Sequence, residues 1–408
     1  MKIAYLANIR LPTEKAHGLQ IAQMCEAFAT QPKVTLCLYA ARRHNTSEMN
    51  AVSDVYSYYG VTANFAIRRV PCLDLLGWLP GRITFGLQML TYLFALGSML
   101  HFERADLYYS RDMFTLLMLS LFVPRAALCY EVHQLSESRF GKHWQGRCAR
   151  RVGTVVAITT TLAERMRDLG ATHVLTEHDG FRVGRFAESI DQTEARQQIK
   201  LPVSAYIIGY VGRLQTMAMS KGVDTVIEAV AQIKDDPITL VLVGGPDDAA
   251  ARLRDQWLRL GLAADRFIYC GAVAADQVPR YLAALDVGLT PLPWTEHFAY
   301  YASSLKLFEY MAAGRAILAS DLPSIAEVVR NEHSALLVPP GDVDALAAAL
   351  HRLYTEPATR QRLGAQAQSD VGRYAWISVL PGFWRPLADR WFLESNRSRF
   401  FDCTAELR

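Results

Sequence analysis

Short apolar runs alternate with segments of helical periodicity along most of this 408-residue chain. The runs are apolar at every position, as expected for parallel strands that are covered on both faces of a sheet. Segment 222–234 shows the helical periodicity, because its apolar residues fall on one stripe. Alternation of this kind predicts doubly wound α/β sheets. We expect strands at 3–7, 34–39, 107–110, 127–130, 154–158, 207–211, 240–243, 267–270, 287–290 and 316–319.

The alternation occurs twice, with a polar seam at 184–203 between the two halves. A chain of this length exceeds one typical core, so we expect an N-terminal domain at 1–190 and a C-terminal domain at 191–375. Segment 376–408 is aromatic and apolar, and we expect helices there that pack back towards the N-terminal domain. Two Rossmann-like domains that face each other place a ligand cleft between the carboxyl ends of their strands.

Charge and cysteine content argue against several functions. A net charge of +3, with 20% charged residues, predicts no nucleic-acid partner. The seven cysteines form no CxxC pair and have no metal-ligand spacing, so we expect reduced core thiols in a cytoplasmic protein and no bound metal. The N-terminal run 1–7 is too short for the apolar core of a signal peptide and predicts a first strand.

One segment is apolar enough to suggest contact with a membrane. Residues 83–100 carry no charge and meet the minimum length of a transmembrane helix. Arg82 and His101 bound the segment closely, and it contains several polar and glycine residues, so we favour a buried or membrane-grazing helix over a spanning one. With two arginines at its start, region 68–100 is a candidate for peripheral membrane contact. A helix that is simply buried in the N-terminal domain is the alternative.

Segment 303–314 has the pattern of a short helix whose N-terminus can bind an anion. Ser303 or Ser304 can cap that N-terminus, and a glycine ends the segment. Free backbone N–H groups at a helix N-terminus attract anions, and Lys306 in the first turn is favourable only when an anion lies nearby. Glu309 follows Ser304 by five residues, which is about 7.5 Å along a helix axis. This distance is close to that between the phosphate and the ribose hydroxyls of a nucleotide, so one helix could hold both ends of a nucleoside diphosphate.

Several candidate ligand contacts follow the expected strands of the C-terminal half. Arg213 comes after one strand, and Lys221 precedes the next helix. An arginine can contact a pyrophosphate through two hydrogen bonds, and a lysine acts on it as a point charge. Taken alone the two are typical of solvated surface cations, but beside segment 303–314 we favour a pyrophosphate site. Gly244 ends another strand, where it allows either close ligand approach or an ordinary turn, and Val273 lies in a segment whose main chain could contact a base.

The N-terminal half offers two candidates. Gly18 opens an expected helix whose N–H groups can face the cleft. The surrounding sequence is not GxGxxG, which argues against a nicotinamide dinucleotide site. His133 follows the strand at 127–130, and a histidine at the end of a strand is a site candidate. A histidine held by a structural hydrogen bond is the alternative.

Over nearly its full length the chain resembles the retaining family 4 glycosyltransferases of GT-B fold. Residues 212–214 and 221–224 are similar to the diphosphate-binding signature of that family, and 306–314 is similar to its donor-binding helix. Residues 179–181 resemble its turn before the interdomain linker, and 331–342 resemble the strand after its donor site. The combination is more specific than any one motif.

The resemblance implies a hexosyltransferase that uses a UDP- or GDP-sugar and a glycan, lipid-linked or small-molecule acceptor, without a metal or other cofactor. The N-terminal domain would bind the acceptor and the C-terminal domain the nucleotide sugar. Arg213 and Lys221 would bind the pyrophosphate and stabilise the leaving group, and Glu309 would accept the ribose hydroxyls. His133 would lie near the reacting face of the sugar. We expect a cytoplasmic enzyme of polysaccharide biosynthesis that can rest on the inner face of the membrane. The other donor-binding candidates are Gly18, Gly244, Val273, Ser303, Ser304, Leu305 and Lys306.

The sequence departs from the family at Tyr301, where a second glutamate usually stands eight residues before Glu309. Glu296 is the nearby acid, but it lies five residues earlier than that position. Ser304 also stands where glycine is common. This departure supports an alternative, a non-catalytic nucleotide-sugar-binding or scaffold protein derived from such an enzyme. A dinucleotide-dependent oxidoreductase is a further alternative, which the missing GxGxxG disfavours.

Overall fold

The structure, a computed structural model, describes residues 1–75, 81–186, 190–216 and 219–376. Two compact units divide the chain between His178 and Asp179 and again between Ala375 and Trp376. Trp376 belongs to the first unit, where its indole Nε1 donates to Gln23 Oε1 at 3.2 Å. The helices expected at 377–408 lie outside the described residues.

The second unit begins earlier than the expected boundary at 190. The backbone N–H of Phe181 donates to the Tyr374 carbonyl at 3.1 Å, and that of Asp179 donates to Ser303 Oγ at 3.0 Å. Segment 184–203 is polar because much of it lies on the surface of the second unit, where Arg196 pairs with Asp286 at 2.8 Å. The polar composition therefore predicted a domain boundary within 184–203, whereas the described residues of this segment belong to the second unit.

The first unit is a doubly wound parallel sheet. Its strands are β1 (Lys2–Ala7), β2 (Thr35–Ala41), β3 (Ala66–Val70), β4 (Leu107–Ser110), β5 (Leu128–Val132), β6 (Thr154–Ala157) and β7 (Val174–Thr176). They lie in the order β3-β2-β1-β4-β5-β6-β7. The helices are α1 (Ala16–Ala29), α2 (Ser47–Asn50), α3 (Val55–Tyr59), α4 (Gly81–Phe102), α5 (Met113–Leu119), α6 (Arg139–Arg151) and α7 (Thr160–Asp168). The strand order reverses between β1 and β4, and such a point is where open α/β sheets bind ligands.

The second unit repeats this architecture. Its strands are β8 (Tyr206–Val211), β9 (Gln215–Thr216), β10 (Met219–Ser220), β11 (Ile238–Val243), β12 (Phe267–Tyr269), β13 (Val287–Thr290), β14 (Ala316–Ser320) and β15 (Leu336–Val338). Six of them form a parallel sheet in the order β12-β11-β8-β13-β14-β15, and β9 and β10 form a separate hairpin. The helices are α8 (Gln192–Gln198), α9 (Val223–Gln232), α10 (Asp247–Arg259), α11 (Val278–Ala284), α12 (Leu305–Ala312), α13 (Pro323–Ala326), α14 (Val343–Thr355) and α15 (Pro357–Asp370). Here the order reverses between β8 and β13.

All ten strands expected from apolar runs are present. Strand β3 did not appear as an apolar run, because its sequence carries two arginines and three of its five residues are exposed. The expected class, two doubly wound α/β domains, is confirmed by the two sheets.

Helix α12 is seated directly on the second sheet. The Tyr310 ring lies over Gly288 of β13, where an added Cβ would come within 2.5 Å of ring carbons. The Tyr310 hydroxyl accepts from the backbone N–H of Val211 at 2.9 Å. The helix is thereby fixed against both strands that flank the reversal point.

Candidate active site

Two glycines turn the chain at the ends of β8 and β11. Gly212 and Gly244 both have positive φ, 136° and 116°. An added Cβ on Gly244 would lie 2.3 Å from the Gly212 carbonyl oxygen. Gly244 is therefore required by the close approach of the two turns, and its predicted contact with a donor remains a prediction. Arg213 follows directly and has an exposed side chain.

Two half-buried lysines lie near these turns. Lys221 Nζ lies 4.2 Å from the centroid of the Phe298 ring, and burial lowers the pKa of this lysine to about 8. Lys306 Nζ lies 3.9 Å from the centroid of the Tyr210 ring and donates to the Tyr210 hydroxyl. Burial, and then the charge of Lys221, hold the Lys306 pKa well below its ordinary value, although Glu309 acts in the opposite direction.

The surroundings leave this positive charge largely uncompensated. Among the residues that the structure describes, neither lysine has a carboxylate within ion-pair distance. His297 is a further basic group nearby, and burial followed by the charge of Lys221 lowers its pKa. An anion bound here would stabilise both ammonium groups, because charges buried without a partner are costly.

Helix α12 begins beside these lysines without a side-chain cap. Ser304 occupies the N-cap position, but its side chain makes no capping hydrogen bond, and Ser303 Oγ instead accepts from Asp179. No serine hydroxyl therefore caps the backbone N–H groups of the first turn, which begins at Leu305, although the N–H of Leu307 donates to the Ser304 carbonyl at 2.9 Å. Gly314 follows the helix with φ 64°, as its sequence pattern predicts.

Glu309 projects from α12 and is held by an arginine that the sequence did not reveal. Arg185 Nη1 donates to Glu309 Oε1 at 2.8 Å, and both side chains are largely buried. Arg185 Nη2 donates to the Ala275 carbonyl. Since Val273 lies two residues before Ala275 and packs on the core of the unit, Arg185 connects the predicted ribose acid to the segment expected near the base.

Tyr301 occupies the position where a second glutamate was expected. It ends a π-helical turn, His297–Tyr301, and its side chain is buried. The Tyr301 hydroxyl donates to Glu296 Oε1 at 2.7 Å. The turn therefore brings the Glu296 carboxylate to the hydroxyl of Tyr301, which follows it by five positions in the sequence.

Near the reversal point of the first unit, His133 contacts a buried carboxylate. Glu131 accepts from Arg111 through both oxygens, at 2.9 and 3.1 Å, and His133 Nε2 lies 2.7 Å from Glu131 Oε1. Burial alone would raise the Glu131 pKa, but Arg111 and His133 lower it to about 2. His17 of α1 is part of this basic environment, and burial and then Arg111 lower its pKa to about 4. His133 thus has the structural hydrogen bond that the alternative interpretation required, and its catalytic role stays a prediction.

Gly18 lies in the first turns of α1, which begins at Ala16 rather than at Gly18. An added Cβ on Gly18 would lie 2.4 Å from the Tyr59 hydroxyl oxygen and 2.5 Å from Thr13 Cγ2. That hydroxyl also hydrogen-bonds both the N–H and the carbonyl of Thr13. Packing against Tyr59 thus accounts for the glycine, and donor contact remains a prediction.

Part of the chain is similar in sequence to known proteins. Residues 205–356 match the glycosyl transferases group 1 family. A D-inositol 3-phosphate glycosyltransferase of Streptomyces bingchenggensis is 30% identical over 225 residues, which are 52% of this chain and 47% of that protein. A 2-deoxystreptamine N-acetyl-D-glucosaminyltransferase of Streptomyces fradiae is 29% identical over 238 residues, 57% of this chain and 54% of that protein. The chain spans about half the length of the curated relatives it matches.

Solved structures are similar over almost the whole chain. Anabaena Alr3699/HepE in complex with UDP-glucose matches with a TM-score of 0.70 and 19% identity, covering 95% of this chain and 100% of that one. Sucrose-phosphate synthase of Thermosynechococcus elongatus matches with a TM-score of 0.75 and 20% identity, covering 95% and 99%. The chain therefore has the GT-B fold of two Rossmann-like domains, and its second unit carries the region that matches glycosyl transferases group 1.

Proposed function

We propose that this protein is a retaining glycosyltransferase that transfers a hexose-type sugar from a UDP- or GDP-sugar to a glycan, lipid-linked or small-molecule acceptor. The observation that carries the proposal is the pair of half-buried lysines, Lys221 and Lys306, beside the start of α12, which no serine hydroxyl caps, and its acid Glu309. The named relatives and the UDP-glucose complex of a protein with this fold support a nucleotide-sugar donor.

In the proposed reaction the donor diphosphate binds to Lys221, Lys306 and Arg213. These cations and the α12 N–H groups stabilise the charge that develops as the bond between the anomeric carbon and the phosphate oxygen breaks. The acceptor oxygen bonds to the same face of that carbon, and its proton goes to the departing phosphate oxygen. Because the protein supplies the positive charge, we propose transfer without a metal or other cofactor.

The remaining contacts follow the same proposal. Glu309 accepts hydrogen bonds from the ribose hydroxyls, and Val273 lies by the base. The donor is lined by Ser303, Ser304, Leu305, Gly18 and Gly244. His133 acts near the reacting sugar. The enzyme works in the cytoplasm in polysaccharide biosynthesis, with its first domain binding the acceptor.

A panel of UDP- and GDP-sugars tests the donor. A selective donor should raise the unfolding temperature by mass action, and its transfer should be followed by nucleotide release in the presence of candidate acceptors. Lys221→Ala and Glu309→Gln should each lower transfer by at least about tenfold, since each removes a charged contact to the donor. The α-configuration of the linkage made from an α-linked donor, read by NMR, tests retention.

Lys234→Ala is the matched control, because Lys234 is an exposed lysine of the same unit. Unchanged transfer in both Lys221→Ala and Glu309→Gln would remove the enzymatic proposal. Selective donor binding without transfer to any acceptor would instead favour the non-catalytic sugar-nucleotide binder, which the tyrosine at position 301 favours.

A further inference from the structure

Helix α4 of the first unit has one buried stripe and a broad apolar outer face. Every fourth residue is buried, namely Thr84, Gln88, Tyr92, Leu96 and Leu100. Between them, Leu90 is 65% exposed and Phe94 is 79% exposed. Other exposed apolar residues on α4 are Ile83, Phe85, Leu87 and Phe102.

The buried stripe holds α4 to the sheet along its length. Tyr92 and Leu96 are fully buried, and Gln88 Nε2 donates to Asn8 Oδ1 at 2.8 Å. Ile83–Phe102 is long and apolar enough to cross a membrane by length and composition alone, but the helix connects β3 and β4 of one sheet. A bilayer-crossing path would pull these residues out of the core, so the exposed side alone is open to an apolar partner.

Helices α5 and α6 extend the same layer. Gly97 of α4 faces Met118 of α5, since an added Cβ would lie 3.8 Å from the Met118 sulfur. Phe114 of α5 and Trp144 of α6 have ring centroids 6.5 Å apart. Just after α5, Phe122 is 79% exposed. The three helices therefore present one continuous outer face.

Helix α6 supplies a different chemistry at the edge of this face. It contains basic residues and no acidic residue. Arg139, Lys142 and Arg147 are exposed, and among the residues that the structure describes none of the three has a carboxylate partner. Phe140, also exposed, packs its ring 6.0 Å from that of Trp144.

We propose that the outer face of α4, α5 and α6 rests on an anionic phospholipid bilayer. The exposed side chains of α4 enter the interfacial region, and the cations of α6 contact the headgroups. The proposal goes beyond the transferase function and does not depend on it. A bilayer fits because it offers both hydrocarbon and negative charge. The same face of a second copy of this chain fits less well, because neither its α4 nor its α6 contains an acidic residue that could pair with the cations of α6.

Flotation of the full chain with vesicles tests this surface. We expect binding to vesicles of equal parts phosphatidylcholine and phosphatidylglycerol, and much weaker binding to phosphatidylcholine alone or in about 0.5 M NaCl. The double variant Leu90→Ser/Phe94→Ser should lower the partition constant at least about tenfold, because apolar side chains supply the insertion. The triple variant Arg139→Glu/Lys142→Glu/Arg147→Glu should lower it about fivefold or more per residue, and only with the anionic vesicles.

Helix α10 of the second unit provides matched controls. Leu258→Ser and the pair Arg254→Glu/Arg259→Glu alter exposed residues of the same types and should leave flotation unchanged. Circular dichroism and thermal unfolding check that each variant is folded. Absence of binding by the wild type, or equal losses from the α10 controls, would overturn the proposal. So would a dimer of the wild type that Leu90→Ser/Phe94→Ser dissolves while vesicle binding stays unchanged.

Discussion

At the scale of single residues, Lys221 and Lys306 are the most consequential groups. Each ammonium lies over an aromatic ring, and partial burial lowers the pKa of each lysine. The rings provide a weak attraction to the cations, much less than hydration would. These surroundings disfavour the charges of both lysines, and a bound diphosphate would offset that cost.

This arrangement predicts a pH dependence. The Lys221 pKa of about 8 lies below the ordinary 10.5, so the ammonium is lost as pH rises through about 8. A bound anion raises this pKa, and binding therefore takes up a proton above pH 8. We expect the dissociation constant of UDP or GDP, measured by calorimetry, to rise between about pH 7 and 9 by up to about tenfold per pH unit. Replacing both Lys221 and Lys306 with arginine should flatten the profile, and an unchanged slope there would contradict the assignment.

Arg185 predicts a second effect, on nucleoside recognition. Because it holds the Glu309 carboxylate and the Ala275 carbonyl, Arg185→Ala should weaken nucleoside diphosphate binding about tenfold. Inorganic pyrophosphate should bind as it does to the wild type, since the cations that hold it are unchanged. Calorimetry with both ligands measures the two effects.

The control for Arg185→Ala is Arg259→Ala, an exposed arginine on α10. If Arg185 acts through Glu309, the double variant Arg185→Ala/Glu309→Gln should bind the nucleoside diphosphate little worse than either single variant. Arg185 would have a different role if the losses of binding free energy in the two single variants added in full in the double variant. An equal loss of pyrophosphate binding in Arg185→Ala would also show a different role.

At the scale of elements, the seating of α12 on β13 depends on a glycine. Gly288→Ala would press a methyl group into the Tyr310 ring, and we expect a loss of about 1–3 kcal/mol in the free energy of unfolding in urea. Gly372→Ala, where an added Cβ meets nothing within 4 Å, is the matched substitution and should cost little. Equal stabilities for the two variants would mean that α12 can shift without cost.

The same elements show what a sequence can and cannot reveal. Continuous apolar runs predicted the ten strands because burial on both faces requires apolar residues at every position. Helix α12 and its acid were also predictable, since helical periodicity and a glycine after the last turn are local signals, but the expected serine cap is absent. Arg185 was not, because its partner Glu309 is 124 residues away and no local pattern connects them. Nor was the contact between Tyr301 and Glu296, which depends on a π-helical turn.

At the scale of the whole molecule, the two units have separate cores and separate ionic clusters. Glu131 has a pKa of about 2, below the ordinary 4.5, so its stabilisation is present above about pH 4.5 and is lost as pH falls through about 2. Removing Arg111 leaves this buried carboxylate without its main partner. The resulting loss of stability should be confined to the first unit.

Arg111→Met should therefore destabilise the first unit by about 3–5 kcal/mol at neutral pH. Hydrogen exchange followed by mass spectrometry should show lost protection in peptides from β4 and β5 and unchanged protection in β8 and β11. The difference from the wild type should narrow below about pH 4.5, because protonation removes the uncompensated charge. Equal loss of protection in both units would show that they unfold together.

The second unit is one uninterrupted stretch of chain, Asp179–Ala375, and its two ends meet. Phe181 and Ala375 form a parallel bridge, so the point of entry and the point of exit are neighbours. In engineering terms the unit is an insertion with adjacent junctions. A chimaera that exchanges this stretch with that of another GT-B protein has both of its junctions at one place in the host. The exchange would transfer Arg185, Lys221, Lys306 and Glu309 together.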